Sequence, residues 1–404
     1  MTCKTITILK SFVCIMLFFN AQLFAQDQKL NYLQGKVVEK STGQAIPYAS
    51  VRINNSSQNT ISNIEGVFVL SNNSKTTDSI AVSAVGFSTV KTALSDLNSK
   101  PQIVIVLEEN ITLLNTVTVT PLKAEEILKN AIRNSSKNYS APSTLKGYYK
   151  EFVKRDSLLT KYADGIVSYL IKRQKNGTPE VSLAVSQSRV KEIEIPEEED
   201  KINQLNTPIK IKGIGEFSDP AKTSLLDSAN FKYYKYQLLE IEEKEKQIYV
   251  INFSPIIGSK KSLYTGKIYI DKESSLILGL DYTVAPSSRS FLTDINILGI
   301  HIGVISRMLS LRYKLENDHY HLSYVGQQFG MRIRSKRINQ QTIFKSEFWV
   351  SNVITDNASL SKEELYTKNF LYKRGNQYQT EFWKDYAFME NTDEEVDFLA
   401  GNKK

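Results

Sequence analysis

Cysteine is almost missing from this chain: its 404 residues hold two, Cys3 and Cys14. Both fall in a stretch that reads as a secretory signal. Lys4 and Lys10 supply a positive n-region, Ser11 to Phe19 an apolar h-region, and Ala25-Gln26 a cleavage point, with Ala21-Gln22 as a second candidate. The mature chain is then expected to carry no cysteine, which excludes disulfides, thiolate metal sites and cysteine nucleophiles from it. The h-region is roughly half the length that spans a bilayer, so a cleaved signal is expected rather than an anchor. Phe12 and Val13, not small residues, precede Cys14, which argues against a lipoprotein box.

Histidine is scarce too. His301, His319 and His321 are the three present, none in a His-x-x-Glu or His-Glu-x-x-His arrangement. A zinc peptidase needs two or three ligands and a carboxylate base in one pocket, so that chemistry is not expected. No Gly-x-Ser-x-Gly elbow and no glycine-rich phosphate loop occurs. The net charge is +8; without Lys4 and Lys10 it is about +6, compatible on an exported protein with anionic lipid or polysaccharide. Lys and Arg are spread along the chain and often alternate with acids, so nucleic-acid binding has no local support.

What is present begins with a small β-sandwich pattern between Leu33 and Leu107. Ala49, Val51 and Ile53 alternate with Ser50, Arg52 and Asn54, one face buried and one wet. Gly43 permits a tight turn, Pro47 pre-sets φ at the entry to the next strand, and Gly66 precedes Val67-Phe68-Val69-Leu70 as a turn feeding a strand. With Gly35-Lys36-Val37-Val38, Gly86-Phe87 and Ile103 to Leu107, these segments resemble the carboxypeptidase regulatory-like domain, a transthyretin-like sandwich found on bacterial envelope proteins. The resemblance implies an accessory module and a location, not a peptidase. Where that family often reads Asp-x-Asp-Gly this chain has Asn63-Ile64-Glu65-Gly66, so a cation-binding turn is not expected.

Glu108 to Leu122 reads as a linker holding one short strand, Val117-Thr118-Val119. After Pro121 comes an amphipathic helix with Ala124, Ile127, Leu128, Ala131 and Ile132 on one face. Glu125 and Glu126 lie in its first turn and Lys129 and Arg133 further on, the favourable sense for the helix dipole. Without large aromatic anchors it is expected to pack on the sheet that follows.

From about Tyr148 the chain becomes a succession of β-segments rich in Tyr, Ile and Val: Tyr233–Leu238, Gln247–Phe253, Gly266–Asp271, Leu276–Tyr282, Leu309–Tyr313 and Tyr320–Tyr324. Turn residues Asp271 to Ser274 and Asn317-Asp318 separate neighbours, which predicts antiparallel pairing. A short helix is expected at Ser361, with Glu364 closing a capping box. The run Tyr264 to Asp271 with Leu276-Ile277 resembles a hairpin of periplasmic LolA-type carriers, whose curved antiparallel sheet wraps a helix around an apolar concavity. The wider layout is similar to envelope proteins of unknown function that carry the regulatory-like domain. An outer-membrane barrel is disfavoured: many segments are short and place Lys or Glu on both faces, and no aromatic closes Leu399-Ala400-Gly401-Asn402-Lys403-Lys404.

Three features invite a chemical reading. His319 and His321 flank Tyr320 on a strand and should share a face with Ser323, with Tyr320, Leu322 and Tyr324 on the buried face; without a third ligand they are expected to be solvent-facing. Glu192, Glu194, Glu197, Glu198, Glu199 and Asp200 lack the turn of a calcium loop and are expected to be solvated. Ile295 to Ile305 is apolar and too short to cross a membrane; a buried strand or the lip of a groove is expected.

The expectation is therefore a mainly β protein. Residues 1–25 are a signal peptide, 33–108 the β-sandwich, 109–137 the linker and amphipathic helix, and 145–390 a curved antiparallel sheet with a few helices. No catalytic, cofactor-binding or metal residue is assigned, and no enzyme activity or cofactor is expected. The first functional reading is a non-catalytic exported protein, periplasmic or associated with the outer membrane, that binds or docks an envelope partner. The alternative is a carrier of lipid or acylated polypeptide, and a second is an envelope hydrolase. An open apolar groove on the sheet would favour the carrier, a filled core the docking module. Partners are an envelope protein, a hydrophobic ligand or a peripheral membrane surface, and not nucleic acid.

Overall fold

The computed structural model describes residues 32–54, 58–71, 78–98, 103–109, 121–193, 207–243, 246–297, 299–316, 318–336, 338–377 and 389–401. The signal segment, Val117–Val119 and Glu194–Asp200 lie outside them.

Alternation in the N-terminal sequence produces two small sheets. Strands β1 (Tyr32–Glu39), β4 (Val67–Ser71) and β7 (Ile103–Leu107) form one, in the order β4-β1-β7. Strands β2 (Ser50–Ile53), β3 (Asn59–Ile61), β5 (Ser79–Ser83) and β6 (Val90–Ala93) form the other, in the order β3-β2-β5-β6, and a short helix α1 (Leu94–Asn98) follows β6. Only β1 and β7 run parallel; Gly35 lies beside Ile103. Ala49, Val51 and Ile53 are buried with Val37, Phe68 and Ile80 between the sheets, as the alternation requires. Asn63 makes the turn before β4 by accepting from the amides of Glu65 and Val67 through Oδ1 at 2.9 and 3.0 Å. Gly66 sits there at φ +77°, and an added Cβ would lie 2.5 Å from the carbonyl oxygen of Val37, so only glycine fits.

The third and largest sheet is built on long hairpins. Its strands are β8 (Ser143–Arg155), β9 (Leu158–Arg173), β10 (Pro179–Glu192), β11 (Tyr234–Glu243), β12 (Lys246–Pro255), β13 (Tyr264–Asp271), β14 (Ile277–Val284), β15 (Asp294–Ile297), β16 (Ile300–Glu316), β17 (His319–Arg334) and β18 (Asn339–Ile354). They form one curved antiparallel sheet in the order β10-β9-β8-β18-β17-β16-β14-β13-β12-β11, with β15 paired to β16 beyond the end of β14. The path is open between β10 and β11. The β13–β14 hairpin forms as expected, and Asp271 Oδ1 closes its turn by accepting from Ser274 N at 2.7 Å and Oγ at 2.6 Å.

Helix α2 (Pro121–Asn138) packs on this sheet and defines its inner face. Ala124, Leu128 and Ala131 are buried in the core, while Ser135 Oγ accepts from the amide of Ile277 at 2.8 Å. The Arg173 guanidinium donates to the carbonyls of Ser136, Lys137 and Tyr139 at 2.8 to 3.1 Å, satisfying the last turn of α2. Two further segments cross the inner face. One bears Ile209, Ile211, Leu225 and Phe231, and includes a single helical turn, α3 (Gly213–Glu216); the other bears Tyr366, Phe370 and Leu371. Phe370 and Tyr372 stack at 5.0 Å.

The outer face is covered by the sandwich and by a C-terminal helix, α4 (Asp393–Ala400). Tyr48 and Ile61 of the sandwich meet Tyr148, Ile166, Tyr324 and Trp349 of the sheet and Met389 before α4. Tyr48 stacks on Tyr324 with ring centroids 4.3 Å apart. Thr392 and Glu395 form a reciprocal capping box at the start of α4.

Three local expectations are corrected. No helix starts at Ser361: the chain there turns and then runs along the free edge of β10, where Val185 N donates to Glu364 O and Tyr366 N to Leu183 O, both at 2.9 Å. Pairing an open strand edge satisfies more backbone groups than one helical turn would. His321 and Ser323 are not solvent-facing but buried, and burial pushes the His321 imidazole below its usual range. Tyr324 is not on the face of Tyr320 and Leu322, because the register slips between Arg312 and Tyr313 opposite Ser323. That bulge turns Tyr324 to the outer face, beneath the sandwich.

Candidate functional site

The hairpin of β15 and β16 has two unlike sides. Its register opposes Ile295 to Ile302 and Ile297 to Ile300, and directly opposed residues project to the same side of a sheet. Across the next ladder Ile302 lies opposite Ile333 and Val304 opposite Met331, both of them core residues of the inner face. The aliphatic side of the hairpin therefore continues the inner face past the end of β14. The other side is polar: Asp294 sits opposite Gly303, Asn296 opposite His301, and His301 opposite Arg334. Arg334 donates to Asp294 at 2.9 Å, and His301 Nδ1 lies 3.7 Å from the same carboxylate.

Ile295 and Ile297 are 41% and 54% exposed, whereas Ile300, Ile302 and Val304 are half-buried against the core. Of the two expectations for Ile295–Ile305, a buried strand or the lip of a groove, the structure fits the second. The segment is an amphipathic lip, open to solvent because β15 has no strand beyond it.

Behind the lip a cleft of about 160 Å³ opens between α3 and strands β14, β16 and β17. Ile209, Phe217, Leu309 and Phe329 give it apolar walls, and Tyr282 and Arg307 stand beside them. Tyr264 and Tyr282 lie with ring centroids 4.5 Å apart, and Arg307 reaches Tyr264 Oη at 3.4 Å. Burial pushes the Tyr282 phenol up to about 12, partly offset by the Arg307 charge. Lys210 lies at the opposite wall, 4.6 Å from the Phe370 ring centroid, and burial lowers its amine. The cleft thus sets its apolar side chains beside a mixed polar lining of Lys210, Glu216, Arg307, Gln327, Gln328 and the Tyr282 phenol. Elsewhere α2 and the two crossing segments fill the inner face.

The outer face holds a different cluster. Lys150, 2% exposed, lies 2.9 Å from Glu395 and 3.6 Å from Glu347. Tyr324 donates to Glu347 at 3.0 Å, and Lys345 lies 3.3 Å from it. Burial raises the Glu347 carboxyl, but Lys345 and Lys150 hold it down at about 2. Alongside, Asp164 accepts from Tyr148 at 2.8 Å and from Arg189 Nε at 2.8 Å, and Tyr162 bonds Asn391 at 2.7 Å. These charges are compensated by one another, which is the arrangement of a structural network rather than of a poised acid or base.

One buried carboxyl differs. Glu151 projects among the inner-face residues, accepting from Tyr149 Oη at 2.7 Å and from Tyr372 N at 2.9 Å. Burial raises it to about 7 against those hydrogen bonds. It clamps the Phe370–Tyr372 segment to β8.

Among the described residues no three His, Cys, Asp or Glu side chains gather where they could hold a metal. None of the described helices is long and apolar enough to cross a membrane. His319 and His321 stay adjacent, with His321 Nδ1 3.2 Å from the carbonyl oxygen of His319. Arg307 and Tyr282, which give the cleft its polarity, were not singled out by the sequence; their only signal is a charged or phenolic residue at an inward position of a strand.

Residues 33–119 match the family model described as the CarboxypepD_reg-like domain. The transthyretin-like sandwich lies within that domain. No curated protein matches the chain in sequence. Two solved structures are similar to it at low identity. A DUF1329 family protein from Desulfovibrio piger is 14% identical over 60% of this chain and 96% of its own, with a TM-score of 0.25. A LolA superfamily protein from Nitrosomonas europaea is 11% identical over 60% of this chain and 97% of its own, with a TM-score of 0.23.

Proposed function

We propose that this chain is an exported, non-catalytic binding protein of the cell envelope, and that its large sheet takes the acyl chain of a lipid or acylated polypeptide at the open end of its inner face. The observation that carries the reading is the register of β15 on β16, which sets Ile295, Ile297, Ile300 and Ile302 in line with the inner-face core beside the cleft and Arg307. Contiguous exposed aliphatic surface of this kind marks an interaction site.

The filled inner face limits the mode of binding. Small-molecule pockets usually measure about 300–1,000 Å³, against about 160 Å³ here. A whole acyl chain does not fit in the cleft, so it lies along the lip with only its head or one end inside. Deep enclosure would require the α3 segment to move away from β16.

Native mass spectrometry of protein purified gently from its own envelope tests the reading. A bound mass in the lipid range, lost on denaturation and absent from Ile300→Asn/Ile302→Asn protein, is the expected result. A bare chain mass for the unaltered protein, unchanged after incubation with long-chain fatty acid, would sink the carrier reading.

A further inference from the structure

The exposed aliphatic side chains of the large sheet are unevenly shared between its two ends. The ends of β12, β14 and β17 and the starts of β13, β16 and β18 all lie at one end, by their antiparallel pairing. Ile256, Ile257, Phe291, Ile295 and Ile297 are exposed there, and Ile257, on the turn between β12 and β13, is 88% exposed. At the opposite end Leu315 and Ile354 are the exposed large hydrophobics among the described residues of these strands.

Charge is equally uneven. In the stretches 255–263, 286–305 and 332–338, which carry these apolar side chains, the sequence has Lys260, Lys261, Arg289, Arg332, Arg334, Lys336 and Arg337 with Asp294 as the one carboxylate; at the same end of the sheet the β8–β9 turn adds Arg155 and Asp156. Asp294 is already engaged by Arg334. At the opposite end acids and bases mix, as in Asp271-Lys272-Glu273 and Glu316 with Asp318.

We propose that this end of the sheet docks on the surface of an anionic phospholipid bilayer. Two protrusions, the Ile256-Ile257 turn and the β15–β16 lip, would enter the headgroup boundary, with Lys260, Arg289 and Arg332 against lipid phosphates. Aliphatic tips flanked by cations suit that interface, where apolar insertion and electrostatic attraction add. A protein partner would more naturally meet one flat face, whereas these groups stand on separate turns. Docking stands whether or not the cleft takes an acyl chain.

The test is co-sedimentation of the full chain with vesicles of phosphatidylglycerol and phosphatidylcholine, compared with phosphatidylcholine alone. The expected result is binding to the anionic vesicles that weakens at least tenfold when ionic strength rises from about 0.05 to about 0.3 M. Ile257→Asn with Phe291→Ser, both outside the cleft and exposed, should lower the bound fraction several-fold at either salt. Lys260→Gln with Arg289→Gln should chiefly flatten the salt dependence. The proposal is overturned if the unaltered chain does not sediment with anionic vesicles. It is equally overturned if the Ile257→Asn/Phe291→Ser protein, its fold verified by circular dichroism, binds as well as the unaltered one. Sedimentation only with vesicles carrying envelope proteins would assign the surface to a protein instead, and would also overturn it.

Discussion

Lys150 and Glu151 are neighbours on β8 that face opposite sides of the sheet, and their surroundings divide their chemistry. Lys150 meets two carboxylates on the outer face and stays charged: burial alone would lower its amine, but Glu395 and Glu347 more than compensate. Glu151 meets phenols and amides on the inner face, and burial raises its carboxyl from 4.5 to about 7. A raised carboxyl binds a proton in the folded state that the unfolded chain has already released between these two values. Folding stability therefore falls as pH rises from about 4.5 to about 7, by an amount of the order of 3 kcal/mol. Glu151→Gln should remove that slope and leave the protein more stable than the unaltered chain at pH 8, measured by urea unfolding across pH. Equal slopes for the two proteins would show that Glu151 is not the group responsible. Glu347 works in the opposite sense. Its depressed carboxyl adds stability above about 4.5 that is lost as pH falls toward about 2.

Elements in this chain follow their local patterns until another strand or edge offers more. The alternation of β2 and the amphipathic face of α2 are both kept. The turn at Asn63 to Gly66 is kept as well, and it is demanding: a side chain at residue 66 would meet backbone, which cannot swing away. Gly66→Ala should cost about 1–3 kcal/mol, read as a lowered midpoint of the chain's single thermal unfolding transition. An unchanged melting profile would mean that the turn relaxes at no cost. By contrast Ser361-x-x-Glu364 has the spacing of a helix start and forms none, because β10 leaves an edge to be paired nearby. The same capping pattern at Thr392 and Glu395 is used, where the following residues bury Phe398 against Leu159 and Tyr162.

At the scale of the whole molecule, the sandwich and the sheet share a buried seam. Tyr48 reaches it from a left-handed backbone conformation, φ 62°, uncommon for a tyrosine and sustained by its stacking on Tyr324. Burial, and then the Glu347 charge, push the Tyr48 phenol well above its usual range. Tyr48→Ala with Ile61→Ser should uncouple the two units, so that calorimetry resolves two transitions where the unaltered chain unfolds in one. A single transition in both proteins would mean that the seam is not what joins them. The open end of the inner face lies away from this seam, which leaves the lip and cleft free for a ligand or a membrane.

Composition and period determined much of this protein directly. The two-sided strands of the sandwich, the helix against the sheet, the β13–β14 hairpin and the antiparallel succession follow from alternation, turn residues and helical spacing, all of which act over a few residues. Tertiary structure decided what depends on partners far apart in sequence. Whether Tyr324 faces the core or the sandwich turns on a bulge at Ser323, and the Tyr48 it stacks on lies more than two hundred residues earlier. Whether Ile295 to Ile305 is core or lip turns on where β14 ends, since a strand with no neighbour beyond it exposes whatever it carries. The cleft, the opposed settings of Lys150 and Glu151 and the gathering of aliphatic and cationic groups at one end exist only once the register of the large sheet is fixed, because a one-residue slip would send each of those side chains to the other face.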